Sequence, residues 1–148
     1  MIYLGADHRG FEKKAHLIKF LTEKNIEFKD LGSYKYDQSD DYNDPAIAVA
    51  KSVRKNLDDK GILICGSAHG VTIQANRFKN IRAITATSAE LIKLGREHNN
   101  ANILCLSADF LSNEEIENLV EIFLTTPFSN EARHIKRINR LDEREDYA

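Results

Sequence analysis

Short apolar runs alternate with helical stripes along the whole chain, and that order restricts the fold more than any other feature. Ile2-Tyr3-Leu4-Gly5 reads as a strand, and Phe11, Ala15 and Ile18 mark one face of a helix starting at about Gly10. Ile26 to Leu31 reads as a second strand, followed by a polar loop from Gly32 to Asn43. Ala46, Val49, Ala50, Val53 and Leu57 then recur at helical spacing. The pattern continues with a strand at 61–65, a helix at 70–80, a strand at 81–85, a helix at 88–97 and a strand from Asn102 to Leu106. Ser112 and Glu115 have the spacing of a capping box ahead of Ile116, Leu119, Val120, Phe123 and Leu124. After Thr125-Thr126-Pro127, Ser129 is placed to cap a C-terminal helix. Alternation of this kind predicts an α/β protein, a five-stranded parallel sheet covered by helices on both faces.

Length and charge narrow the function classes. The 148 residues suit one domain with one substantial core. A net charge of −2 supplies no overall basic field, which argues against nucleic acid as a partner. No apolar run reaches the length of a membrane span, and the N-terminus leads straight into a strand, without a signal-peptide pattern. Cys65 and Cys105 lie in strand-like runs without disulfide or zinc spacing, as expected of a reducing, cytoplasmic setting. The histidines at 8, 16, 69, 98 and 134 show no metal-ligand spacing.

Chemistry concentrates in Cys65-Gly66-Ser67-Ala68-His69-Gly70. A buried thiol that merely ends a core strand is the ordinary reading of Cys65. The small, glycine-bounded loop after it changes the balance, because such a loop at a helix N-terminus exposes N–H groups suited to phosphate or an oxyanion. It is neither G-x-G-x-x-G nor G-x-x-x-x-G-K-[ST], so dinucleotide and nucleoside triphosphate sites are unsupported. In an open parallel sheet ligands bind beyond the carboxyl ends of the strands. That edge gathers Asp7-His8, Asp41-Tyr42 and the Cys65–Gly70 loop.

His98 precedes the fifth strand and belongs to the opposite edge. A His at a helix C-terminus interacts favourably with the dipole, and that alone accounts for it. If it takes part in the chemistry of Cys65, it does so for a neighbouring subunit, and the protein is a dimer with shared sites. Arg133, Arg137, Arg140 and Arg144 share one helical stripe. The stripe reads either as a solvated face paired with Glu131, Asp142 or Glu143, or as a clamp for phosphate.

Four motifs then occur in order: Leu4-Gly5-Ala6-Asp7-His8-Arg9-Gly10; Cys65 to Gly70 with Ala75-Asn76-Arg77; Arg96-Glu97-His98-Asn99-Asn100-Ala101-Asn102; and Arg133-His134 with Arg137. Together they resemble ribose-5-phosphate isomerase B and the related galactose-6-phosphate isomerase subunits, over essentially the whole chain. The resemblance implies a Rossmann-like three-layer α/β/α sandwich, a homodimer or dimer of dimers, and no cofactor. It implies aldose–ketose isomerisation of a sugar phosphate through a cis-enediolate, with ribose 5-phosphate and ribulose 5-phosphate as the expected pair. Cys65 is then the base, helped by loop N–H groups that lower a thiol pKa, and Ser67 shuttles protons at the sugar oxygens. Backbone N–H groups of Gly66, Ala68, His69 and Gly70 hold the enediolate. His98, oriented by Asp7 of the facing subunit and flanked by Asn99, opens the ring. His8, Arg133 and Arg137 match phosphate contacts, and Tyr42 lies near the sugar.

This chain departs from that pattern at several positions. Ser67 stands where the family often has Thr, and Asn43 replaces a frequent Pro. His69 takes a position more often Ile, Asn or Gln. Ser107-Ala108-Asp109 stands where the family commonly has Gly-x-Arg, its arginine at the phosphate. A carboxylate there would repel phosphate unless it turned away or paired with Arg137 or Arg140. Some members use a Glu base from the helix after the loop; Val71 and Thr72 offer none, which favours Cys65. A hexose 6-phosphate such as allose or galactose 6-phosphate, and a catalytically silent sugar-phosphate-binding subunit, are the alternative readings.

Overall fold

A computed structural model describes residues 1–143. Its five strands are β1 (Ile2–Ala6), β2 (Phe28–Asp30), β3 (Lys60–Cys65), β4 (Ala83–Thr85) and β5 (Ile103–Ser107). They form one wholly parallel sheet in the order β2-β1-β3-β5-β4. The helices among the described residues are α1 (Phe11–Glu23), α2 (Asn43–Val53), α3 (His69–Ala75), α4 (Ala89–Asn99), α5 (Asn113–Thr125) and α6 (Ala132–Asn139). The expected α/β three-layer sandwich is what forms, and no described helix is long and apolar enough to cross a membrane.

The period-two alternation of a strand sorts the core into two layers. Ile62, Ile64, Leu104 and Leu106 face one side, where Leu17 and Leu21 of α1, Ile92 of α4 and Ile116, Val120 and Phe123 of α5 cover them. Leu63, Cys65, Ile103 and Cys105 face the other, under Val49 and Val53 of α2 and Val71 and Ala75 of α3. The central strands are buried on both faces, as parallel strands between helical layers must be.

Local chemistry sets the helix ends. The Ser112–Glu115 capping box forms, with both reciprocal bonds at 3.1 Å. Ser88 caps α4 by accepting from the Leu91 N–H at 3.3 Å, and Asn100 ends that helix in the left-handed region at φ 47°. Gly10 precedes α1 where the chain passes over β3. A Cβ there would lie 2.3 Å from the Ile64 carbonyl oxygen, so the close approach requires glycine.

Several boundaries differ from expectation. α2 stops at Val53, and Leu57 is 94% exposed rather than part of the stripe. α3 ends at Ala75 instead of near residue 80, because the side chain of Asn76 brackets Ala83, donating to its carbonyl at 2.9 Å and accepting from its N–H at 2.8 Å. Ser129 does not cap α6; its N–H donates to the Glu97 carbonyl at 3.1 Å, and Glu131 is the residue at the cap. The arginine stripe is accordingly shorter: Arg140 is the C-terminal cap, and Arg144 lies outside the described residues.

Candidate active site

β3 carries Cys65 to the carboxyl edge, where Ala68 adopts φ 72° immediately before α3. A left-handed turn at a non-glycine residue costs on the order of 1 kcal/mol and is kept where the surrounding structure demands it. The N–H groups of Val71, Ala68 and Ser67 around this turn act to lower the pKa of the Cys65 thiol. Burial still pushes that thiol above its ordinary value of 9.0, and the charge of Asp7 adds to the rise, so the N–H groups only moderate it. The loop N–H groups expected to help the thiolate do act downward, but burial outweighs them. Cys105, wholly enclosed in the α2–α3 core, is pushed up to about 12 and is inert by comparison.

β5 pins the loop. Ala108 N–H donates to the Cys65 carbonyl at 2.8 Å, Asp109 N–H to that of Gly66 at 3.2 Å, and the Ser107 hydroxyl to Gly66 at 2.5 Å. Ser67 accepts from the His69 N–H at 3.2 Å. Ser67 and His69 line a groove of about 370 Å³ with Thr85, Ser107 and Phe110. Tyr42 closes over Gly70, where a Cβ would meet its ring at 2.7 Å. Asn43 bonds Gln74 of α3 at 2.8 Å, which gives the residue replacing Pro a bridging role.

The loop after β1 supplies a second cluster. Asp7 is buried, and its Oδ1 accepts from the N–H groups of Arg9 and Gly10 at 3.0 and 3.1 Å. Burial raises its pKa against the pull of those donors and of His8. His8 is fixed by Asp40, which meets its Nδ1 at 2.7 Å and its N–H at 3.0 Å. Ser33 donates to the other oxygen of Asp40 at 2.9 Å. Burial acts upward on Asp40, but its bonds to His8 and Ser33 hold it below the usual carboxylate value. The acidic loop thus reaches the site through Asp40, while among the described residues Asp41 contributes only its carbonyl, to Asp44 N–H at 3.3 Å. Asp7, His8 and Asp40 also place ligand atoms within 4.8 Å of one another, but Asp40 is spent on His8 and Asp7 on backbone donors.

Asp109 neither turns away nor reaches Arg137 or Arg140. Its carboxylate is paired with the guanidinium of Arg9. Arg140 instead pairs with Glu143 at 3.2 Å, and Arg133 with Glu131 at 2.8 Å.

The remaining candidates gather elsewhere. His98 and Asn99 end α4 at the amino edge of the sheet, and Arg133 and Arg137 lie on α6 beside them. His98 stacks on His134, ring centroids 4.4 Å apart and planes 18° from parallel. Within one chain the thiol and this imidazole therefore stand at opposite ends of the strands.

A family model described as Ribose/Galactose Isomerase matches residues 2–141. The chain belongs to the ribose/galactose isomerase family. Among similar members, ribose-5-phosphate isomerase B of Mycobacterium tuberculosis is 38% identical over 146 residues, covering 97% of this chain and 89% of the relative. The crystal structure of a ribose 5-phosphate isomerase from Thermotoga maritima superposes with a TM-score of 0.91 at 40% identity, covering 97% of each chain. Ribose-5-phosphate isomerase B of Mycoplasma genitalium with bound ribulose 5-phosphate superposes with a TM-score of 0.90 at 40% identity, covering 95% of this chain and 92% of that one.

Three residues at the two edges of this isomerase-family fold escaped the sequence reading. Arg9 belongs to the Leu4–Gly10 motif, where sequence alone assigns it no role. Asp40 sits one residue before the acidic position singled out. His134 adjoins Arg133, and its stacking on His98 depends on how α6 docks against α4.

Proposed function

We propose that this chain interconverts D-ribose 5-phosphate and D-ribulose 5-phosphate as a single cytoplasmic domain acting in a homodimer or dimer of dimers. The observation that carries the reading is Cys65 at the carboxyl end of β3, followed by the left-handed turn at Ala68 that opens α3, in a chain of this family. In the proposed reaction the Cys65 thiolate removes the C2 proton of the open-chain aldose. The electron pair shifts into a C1–C2 enediolate, and the thiol returns the proton to C1. Negative charge accumulates on O1, where N–H groups of the Gly66–Gly70 loop compensate it only along the reaction path. Ser67 moves the hydroxyl proton between O2 and O1. His98 of the facing subunit, with Asn99 beside it, takes the anomeric hydroxyl proton and protonates the ring oxygen. Asp7 uses only Oδ1 for hydrogen bonds among the described residues, which leaves Oδ2 for that imidazole. His8, with Arg133 and Arg137 of the facing subunit, holds the phosphate, and Tyr42 and His69 flank the sugar.

Two observations support a shared site. The candidate groups divide between the two sheet edges, and Ile73, Leu91, Leu94 and Phe110 leave apolar surface exposed around α3, α4 and the β5 loop. The test is turnover of ribose 5-phosphate against allose and galactose 6-phosphates. Inactive Cys65→Ala and His98→Ala chains, refolded as a mixture, are expected to regain part of the activity, since a mixed dimer holds one intact site. Turnover confined to hexose phosphates would overturn the pentose assignment. Verified mixed dimers without activity would overturn the shared site.

The raised thiol sets the pH dependence. Only the thiolate removes the proton, and a pKa raised by burial means that its fraction grows with pH throughout the neutral range. kcat/KM is therefore expected to climb by about tenfold per pH unit through the neutral range and to be still rising at about pH 9. A plateau already reached at neutral pH, in a stopped assay of ketose formation, would show a thiolate formed before substrate binds.

A further inference from the structure

We infer that Arg9, held in place by Asp109, is an anion contact of the substrate site, on the reading above that the substrate is a sugar phosphate. β1, β3 and β5 are the three central strands of the sheet, and the loops that follow them converge on one point. At that point lies Gly66, the residue after the thiol. A Cβ on Gly66 would lie 2.7 Å from Arg9 Nε, 2.8 Å from Arg9 Cζ and 3.0 Å from Asp109 Oδ2, so the ion pair sits directly over the loop. Both backbones are anchored to the site itself: Arg9 N–H donates to Asp7 at 3.0 Å, and Asp109 N–H to the Gly66 carbonyl at 3.2 Å.

Stability does not explain the pair. The side chains are 57% and 35% exposed, and ion pairs open to water contribute little to folding. Recognition accounts for it better. Arginine carries five N–H donors in a fixed fork. Among the described residues the Arg9 guanidinium donates only to Asp109, which leaves donors for a phosphate or sugar oxyanion. Asp109 alone would repel such a group. Paired with Arg9, it is neutralised and fixes the direction of the fork. Arg9 is thus a substrate-binding residue, and Asp109 a positioning residue acting through it.

The test measures KM and kcat for ribose 5-phosphate, and calorimetric binding of inorganic phosphate, in wild type and variants. Arg9→Ala is expected to raise KM and weaken phosphate binding by about tenfold or more, with kcat much less affected. Asp109→Asn is expected to raise KM by a smaller factor, and Asp109→Glu to restore it. The double variant Arg9→Ala/Asp109→Arg returns a guanidinium to the same point from β5 and is expected to recover much of the loss. Urea midpoints within error of wild type would exclude general unfolding as the cause, and Arg9→Lys serves if Arg9→Ala folds poorly. An active wild type whose Arg9→Ala and Arg9→Lys variants keep both KM and phosphate affinity within twofold would overturn the inference. A wild type that binds phosphate through Arg9 yet turns over no ribose 5-phosphate would instead remove the proposed reaction and leave the contact standing.

Discussion

Cys65→Ala is expected to lower kcat for ribose 5-phosphate isomerisation by about 10²–10⁴-fold, the usual contribution of a positioned base. Affinity for ribulose 5-phosphate is expected to change little. The groups meant to hold the ligand near this position are backbone N–H donors, fixed by Ala68 and by the β5 bonds to Cys65 and Gly66, and alanine keeps all of them. The loss should therefore fall on kcat, as expected when an interaction specific to the transition state is removed. Cys65 lies against the α2–α3 core, so its loss also opens a small cavity, and a urea midpoint is needed beside the kinetics. Activity within about tenfold of wild type, near 1.4 kcal/mol of barrier, would exclude Cys65 as the base.

Gly10→Ala is expected to be the most damaging single methyl in the molecule. The new Cβ would stand 2.3 Å from the Ile64 oxygen, 2.7 Å from its carbonyl carbon and 2.9 Å from its Cγ2. Two of those atoms are backbone of the central strand, which cannot rotate aside as a side chain does. Either α1 lifts from the sheet, opening the contacts of Leu17 and Leu21, or β3 moves. A loss of roughly 3 kcal/mol or more follows, with Tm lowered by about 10 °C. Because Ile64 directly precedes Cys65, activity should fall further than stability alone explains. Chemical denaturation decides the matter: a loss under about 1 kcal/mol would mean that the approach of α1 to β3 is looser than the structure indicates.

What could be read ahead of the structure followed from short-range pattern. The apolar alternation of Ile62 to Cys65 and of Ile103 to Leu106 announces buried parallel strands, and Ser112 with Glu115 announces a helix start. The opposed positions of Cys65 and His98 follow from strand direction alone. Long-range pairing was less accessible. Arg9 and Asp109 are 100 residues apart, and nothing local indicates that the β1 and β5 loops meet over Gly66. Choosing Asp40 over Asp41 depends on the path of a loop tied down by Ser33 and His8. Both α2 and α3 end early, α3 because the Asn76 side chain brackets Ala83. Helical periodicity continues past both ends without registering them.

Insertion or deletion of one residue within β3 would exchange the two cores at a stroke, sending Ile62 and Ile64 toward α2 and α3 and Leu63 toward α1 and α5. A change in length after the strand ends carries no such penalty, since the parity of every buried position is kept. By this criterion a change of length is borne by the turns at either edge of the sheet and not by the strands between them. The interior of this protein resists shifts of frame, while at its rim what must be kept is the bonding that ties each loop down, not the parity of a strand.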